Sequence, residues 1–264
     1  MDTARYLEEY YSHYDEGGRL ATKHGSVEFL TTMRYVEKYL RPGAKILEVG
    51  AGTGRYSHAL AQRGFAVDAI ELTEHNIAAF KENTTPGEQV TIAQGNAVDL
   101  SMFGDGSYDI TLLLGPMYHL FTAGEKKQAL AEAIRVTKRG GVIFAAYCTA
   151  DPSILMFGFI QQHIWELVEK GMLDAETFKA SSNPWDLFEL HRREDIDALM
   201  EGFPVERLHY VAADGYSHHP GMMEALAGMD EKTFDLYLLY HFTICERADM
   251  AGLTHHAIDI FRKR

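Results

Sequence analysis

Between residues 44 and 148, short unbroken apolar runs alternate with helical segments, and no other feature constrains the fold as strongly. Ala44-Lys45-Ile46-Leu47-Glu48-Val49 reads as a buried strand, followed by the glycine run Gly50-Ala51-Gly52-Thr53-Gly54 and a helix to about Arg63. Phe65 to Glu71, Gln89 to Ala93, Tyr108 to Leu114 and Val142 to Tyr147 read as further strands. Thr73 can cap a helix reaching about Asn83, and Glu125 to Thr137 supplies another. Strands without polar alternation, separated by helices, predict a parallel sheet covered on both faces.

The flanking segments have other rhythms. Leu7, Tyr10, Tyr11 and Tyr14, then Val27, Leu30, Met33, Val36 and Leu40, recur at helical spacing, so residues 1–43 are expected to form a helical cap. Residues 149–202 carry the stripe Phe157, Ile160, Ile164, Leu167 without strand alternation, which predicts a helical lid inserted after the fifth strand. Residues 203–264 then complete the sheet: a strand from Phe203 to Ala212, helix over 221–247, and a last strand from Ala257 to Arg262. Nothing resembling a linker or a repeat divides the chain, so one α/β domain is expected.

Composition removes several functional classes. Lys plus Arg number 25 against 38 Asp plus Glu, a net charge of −13 that makes the chain a poor partner for nucleic acid. Two cysteines, Cys148 and Cys245, fit neither a disulfide framework nor a metal-ligand spacing. The N-terminal residues lack a basic-then-apolar leader, and the apolar stretch Ile110 to Gly124 is too short for a bilayer and is interrupted by His119. A soluble cytoplasmic protein, monomer or homodimer, without a membrane partner, is expected.

Chemistry enters at the glycine run. Glycines at alternate positions allow a tight turn and let a ligand approach backbone amides with no Cβ between, while the following helix aims free N–H groups into the same crevice. Glu71 ends the next strand, about twenty residues on, where an open α/β fold places the acid that grips a ribose diol. A dinucleotide site wants G-x-G-x-x-G, but counting from Gly50 or Gly52 the sixth position is Arg55 or Ser57. That spacing opposes a nicotinamide oxidoreductase. Glu48, just ahead of the turn, suits a cationic ligand end better than a phosphate.

The segment Glu48 to Gly54, the strand-end Glu71, the run Leu114-Gly115-Pro116-Met117-Tyr118-His119, and Ala133 to Gly141 ahead of the fifth strand resemble a class I S-adenosylmethionine-dependent methyltransferase. The resemblance covers roughly residues 44–148. It implies a Rossmann-like, seven-stranded, mostly parallel sheet whose last strand is antiparallel, with residues 44–148 binding the cofactor S-adenosylmethionine. It assigns Gly50, Gly52 and Gly54 to the methionine and ribose portions, Glu48 to the turn and the amino group, and Glu71 to the ribose hydroxyls. Leu72 would lie against the adenine, Asn96 and Ala97 beside it, and Leu114 would offer its carbonyl to the ammonium. Asn96 stands where the family often has Asp. Tyr14 could fold over the cofactor.

On the acceptor side, Leu114-Gly115-Pro116-Met117-Tyr118 lacks the polar residue of the Asn/Asp-Pro-Pro-Tyr motif that holds a planar amine, which argues for a small-molecule acceptor. Met156, Phe157, Trp165, Phe178, Trp185, Met222 and Met223 suggest an apolar pocket for it. His119, just past the fourth strand, is the candidate general base. His218-His219 and His255-His256 invite a metal, but adjacent residues point apart and no carboxylate spacing joins the pairs, so no metal is expected. A non-catalytic protein that binds S-adenosylmethionine, or a methyltransferase acting on protein or RNA, are the alternatives.

Overall fold

The computed structural model describes residues 3–13, 18, 22–183, 185 and 188–264. Its centre is one mixed sheet. The strands are β1 (Lys45–Val49), β2 (Ala66–Glu71), β3 (Val90–Gln94), β4 (Tyr108–Leu113), β5 (Thr137–Thr149), β6 (Leu190–His191), β7 (Val205–Ala212) and β8 (His256–Lys263). Seven of them run in the order β3-β2-β1-β4-β5-β8-β7, and β6 pairs with β5 off that path. β1 pairs in parallel with both β2 and β4, with Ile46 opposite Val67 on one side and Ile110 on the other. β8 is antiparallel to both neighbours, placing Phe261 opposite Ile143 and Ile258 opposite Val211.

The sheet therefore has eight strands where the sequence predicts seven. β5 continues to Thr149, whereas β4 accompanies it only as far as Ala145. Beyond that point β5 has an open edge, and Leu190 and His191 pair with Cys148 and Thr149 to cover part of it. Two residues are too few to carry a periodic signal.

Successive strand residues face opposite sides, and each side is buried. Leu47, Val49, Leu113, Ile143 and Phe261 share a core with Ala129, Leu130 and Ala133 of the helix Ala123–Val136. Ile46, Ile110, Leu112, Phe144 and Ile260 pack on the other face with Met33 and Val36 of the helix Lys23–Glu37 and Leu60 of the helix Arg55–Ala61. The helix Ala123–Val136 begins ahead of the expected Glu125 because Thr122 caps it reciprocally with Glu125.

Residues 149–202 are less helical than expected. Ala150–Ser153 continues as one wide turn over Ile154–Ile160, and Ile164–Glu169 and Arg193–Met200 are helices. The described residues between 172 and 189 are mostly irregular. Asp174 Oδ1 accepts hydrogen bonds from the backbone N–H groups of Glu176 and Thr177 and from the Thr177 hydroxyl, which satisfies that backbone locally instead of through a helix.

Strand order reverses between β1 and β4, and in such sheets the crevice beyond the carboxyl ends of the strands at that reversal receives the ligand. The glycine run follows β1, and Leu114 follows β4.

Candidate functional site

A cavity of about 650 Å³ occupies this crevice and reaches across the sheet edge to Ala213, His256 and Ile258. Its floor is the glycine turn. Gly50, Gly52 and Gly54 have φ of 76°, 53° and 91°, all left-handed values that favour glycine. The three positions do different work. A Cβ on Gly50 would stand 2.6 Å from Pro116 Cδ, so the turn and the segment after β4 touch there. A Cβ on Gly54 would meet His58 Nε2 at 2.4 Å and Phe80 Cδ2 at 2.6 Å. A Cβ on Gly52 would meet nothing within 4 Å. Gly50 and Gly52 line the cavity, whereas Gly54 lies below it. Its close approach to His58 and Phe80 gives it a packing role at the start of the helix Arg55–Ala61.

Glu71 is buried and fixed from two directions. Its Oε2 accepts from Gly52 N at 2.9 Å, which ties the strand-end acid to the turn. Its Oε1 accepts from Thr73 N at 3.1 Å, Thr73 Oγ1 at 3.0 Å and Asn76 Nδ2 at 3.4 Å. Thr73 thus turns its hydroxyl to Glu71 instead of capping the helix Glu74–Asn83. Oε2 keeps acceptor capacity toward the cavity, because a carboxylate oxygen offers two lone pairs.

Glu48 is also buried, with Ser57 Oγ donating to its Oε2. Burial pushes its carboxyl up to about 8, against the opposing pull of the Ser57 hydrogen bond. This raised value has a consequence for stability. An acid held higher in the fold than in the unfolded chain, here near 4.5, adds stability that is complete below that lower value. The contribution is lost as pH rises through about 8. Glu48→Gln should therefore flatten the decline of ligand-free stability between pH 5 and 9. Urea midpoints across that range check this, and parallel curves for the two proteins would refute it.

Leu72, Asn96, Ala97 and Leu114 all line the cavity. Asn96 Oδ1 accepts from Val98 N at 3.2 Å. Tyr14 lies outside the described residues. Tyr11, one helical turn earlier in the sequence, reaches the site instead: its hydroxyl is 2.9 Å from His119 Nε2. His119 follows the short turn Pro116–Tyr118, lines the cavity, and packs against the rings of Tyr118 and Phe188 at 4.9 and 5.4 Å.

None of Met156, Phe157, Trp165, Phe178, Trp185, Met222 and Met223 lines the cavity. Phe157, Trp165, Phe178 and Trp185 are exposed. Ser182 and Asn183 represent the inserted segment at the cavity wall. The reading of those aromatics as an apolar acceptor pocket is thereby corrected. Phe157, Ile160 and Trp165 face outward, while Ile164 and Leu167 of the same segment pack against Ile154 and Leu173.

The lining holds Glu28, Glu48, Glu71 and Glu125 against Arg55, so its formal balance is acidic and suits a cationic ligand. The sequence did not single out Glu28 or His256 for this wall. Glu28 sits on the helix Lys23–Glu37, His256 opens β8, and together with Asp214 and His218 they form one cluster. The fold thus joins one histidine from each sequence pair through the nearby Asp214 and the distant Glu28.

Comparison with known proteins agrees with this geometry. Residues 46–141 match the family model described as a methyltransferase domain. The chain is 27% identical over 138 residues to the ubiquinone biosynthesis O-methyltransferase of Pseudomonas aeruginosa, covering 52% of this chain and 58% of that protein. It is 35% identical over 144 residues to the demethylmenaquinone methyltransferase of Renibacterium salmoninarum, covering 54% and 55%. The chain therefore spans little more than half the length of these curated relatives. The crystal structure of an S-adenosylmethionine-dependent methyltransferase from Thermotoga maritima has the same fold, with a TM-score of 0.59, 17% identity and complete coverage of both chains. Residues 46–141 thus match a methyltransferase domain, and the chain that carries them has the strand order, the glycine turn and the fold of S-adenosylmethionine-dependent methyltransferases.

Proposed function

We propose that the protein transfers a methyl group from S-adenosylmethionine to a small-molecule acceptor bound in the same cavity, giving S-adenosylhomocysteine. The observation that carries this reading is the continuity of the cavity, which runs from Gly52 and Glu71 to His119 and His256. One enclosed space offers a nucleoside subsite and titratable groups for a second ligand.

The cofactor's chemistry fits the residues present. Open space above Gly52 admits a ligand onto the turn, Glu71 presents a fixed acceptor for ribose hydroxyls, and Glu48, mostly protonated in the ligand-free protein at neutral pH, would ionise against a ligand ammonium. The buried acids also favour a sulfonium, since a cation in low dielectric is stabilised by nearby negative charge. When bound, S-adenosylmethionine would supply an electrophilic methyl group on positive sulfur, with Glu71, Glu48 and the turn at Gly52 as the residues that would hold it.

The protein's share is alignment, exclusion of water and removal of one proton. Tyr11 and His119 form a hydrogen-bonded pair on the cavity wall that can accept the proton of an acceptor hydroxyl or ammonium. The segment 149–202 covers part of the cavity through Ser182 and Asn183, and the backbone bond from Glu189 N to Tyr118 O at 2.7 Å anchors it beside His119. The relatives named above act on quinone precursors, so phenolic and hydroquinone acceptors head the acceptor search. We place the reaction in the cytoplasm: both cysteines are free and buried, and no helix among the described residues is long and apolar enough to cross a membrane.

Incubation with methyl-labelled S-adenosylmethionine and pools of phenols, amines and thiols tests the proposal. Label should pass to at least one pool in proportion to S-adenosylhomocysteine formed. Tight binding without turnover across all pools would favour the non-catalytic alternative.

Glu71→Gln should weaken S-adenosylhomocysteine binding about ten- to a hundredfold, the range for losing a charged hydrogen bond of roughly 1.5–3 kcal/mol. Unchanged affinity by calorimetry in a folded variant would mean that the ribose is held elsewhere.

A further inference from the structure

We infer that Glu28, Asp214, His218 and His256 form a binding site for one divalent transition-metal ion at the acceptor end of the cavity. One donor atom from each of these side chains lies within 4.8 Å of all the others. The residues come from three parts of the chain: the helix Lys23–Glu37, the turn running from its N-cap Asp214 to His218, and the first position of β8. Such convergence is costly to build for no purpose, because it places two acids and two imidazoles, buried or half-buried, close together.

The spacing is close to what a small ion requires. Four ligands about 2.0–2.2 Å from a tetrahedral zinc ion stand about 3.4 Å from one another. His218 Nε2 is 3.5 Å from Asp214 Oδ2, and His256 Nδ1 is 3.5 Å from Glu28 Oε2. The edge from His256 Nδ1 to Asp214 Oδ2 is shorter, at 2.6 Å, because a shared proton bridges it. A metal ion replaces that proton and separates the two atoms by under 1 Å of side-chain movement.

A second observation points to a missing ligand. His218 Nε2 is fully enclosed and makes no hydrogen bond among the described residues, although it is aimed at Asp214. A buried imidazole nitrogen without a partner is uncommon, and a metal is a partner that suits it. The supporting contacts have the form found around metal ligands, where the atom not used for ligation is hydrogen-bonded to hold the other in place. Asp214 Oδ1 accepts from Thr254 Oγ1 at 2.5 Å, His255 N at 2.9 Å and His256 N at 3.2 Å, which leaves Oδ2 toward the histidines.

Two imidazoles and two carboxylates favour zinc, iron(II), cobalt or manganese over magnesium and calcium, which prefer oxygen ligands throughout. Two carboxylates also balance the ion's charge. Glu28 and His256 line the cavity, so the ion would face the space that receives the acceptor. Under the methyl-transfer reading, on which this role alone rests, an acceptor oxygen would coordinate the ion, lose its proton more readily and attack as the anion. The released proton passes to the Tyr11–His119 pair or to solvent.

Cobalt(II) is the probe, since its visible spectrum reports both binding and geometry. Protein stripped with chelator should take up one cobalt per chain, with the intense absorption of a four- or five-coordinate site. His218→Ala and His256→Ala should each weaken uptake at least tenfold. Calorimetry with S-adenosylhomocysteine, run on the same samples, should show both variants folded and binding the cofactor product normally. Failure there would count against the cofactor reading and not against the metal. No cobalt bound by the wild type, or equal uptake by wild type and a folded double variant, would overturn the site.

Discussion

Replacing His119 with glutamine is expected to slow methyl transfer by about 10²- to 10⁴-fold, the range for removing a general base. Glutamine can keep a hydrogen bond to the Tyr11 hydroxyl but cannot carry away a proton. Binding of S-adenosylhomocysteine should stay within a few fold, because His119 belongs to the wall beyond the glycine turn and not to the turn itself. Tyr11→Phe should cost less, as the imidazole remains while losing its 2.9 Å partner. Single-turnover rates with saturating cofactor and an identified acceptor separate the effects. A folded His119→Gln enzyme with near-normal turnover would mean that the acceptor arrives already deprotonated.

The second large effect concerns the glycine turn. Gly52→Val should abolish measurable cofactor binding, a loss of more than about a hundredfold, because its side chain enters open cavity space. Stability should fall only by the roughly 1–2 kcal/mol that a left-handed conformation costs a residue with a Cβ. Gly54→Ala should behave in the opposite sense. Its Cβ would stand 2.4 Å from His58 Nε2 and 2.6 Å from Phe80 Cδ2, both held in the core, so folding suffers before binding does. Urea denaturation with calorimetry on each variant tests the pair. A Gly52→Val protein that binds normally would place the ligand away from the turn.

Strand identity was legible because buried parallel strands have an unbroken apolar pattern, and β1, β2 and β4 appear within a residue or so of their expected limits. The glycine turn and Glu71 were legible for a related reason: local backbone geometry dictates their residue types. What escaped was assembled by the fold alone. Nothing in the neighbourhood of Tyr11 says that its hydroxyl meets His119, 108 positions away. The cluster of Glu28, Asp214, His218 and His256 has a short spacing only between Asp214 and His218, four residues apart, and the other two members arrive from distant elements. The outward-facing Trp165 and Trp185 misled in the other direction. Aromatic content alone does not imply burial: Trp165 sits on the regular helix Ile164–Glu169 and still faces outward.

The central claim is that the crevice beyond β1 and β4 holds S-adenosylmethionine and not a dinucleotide. Calorimetric titration of the full chain with S-adenosylhomocysteine and, separately, with NAD tests it most directly. The account predicts one S-adenosylhomocysteine site per chain, lost in Gly52→Val, and no heat from NAD. Saturable binding of NAD with none of S-adenosylhomocysteine would contradict it.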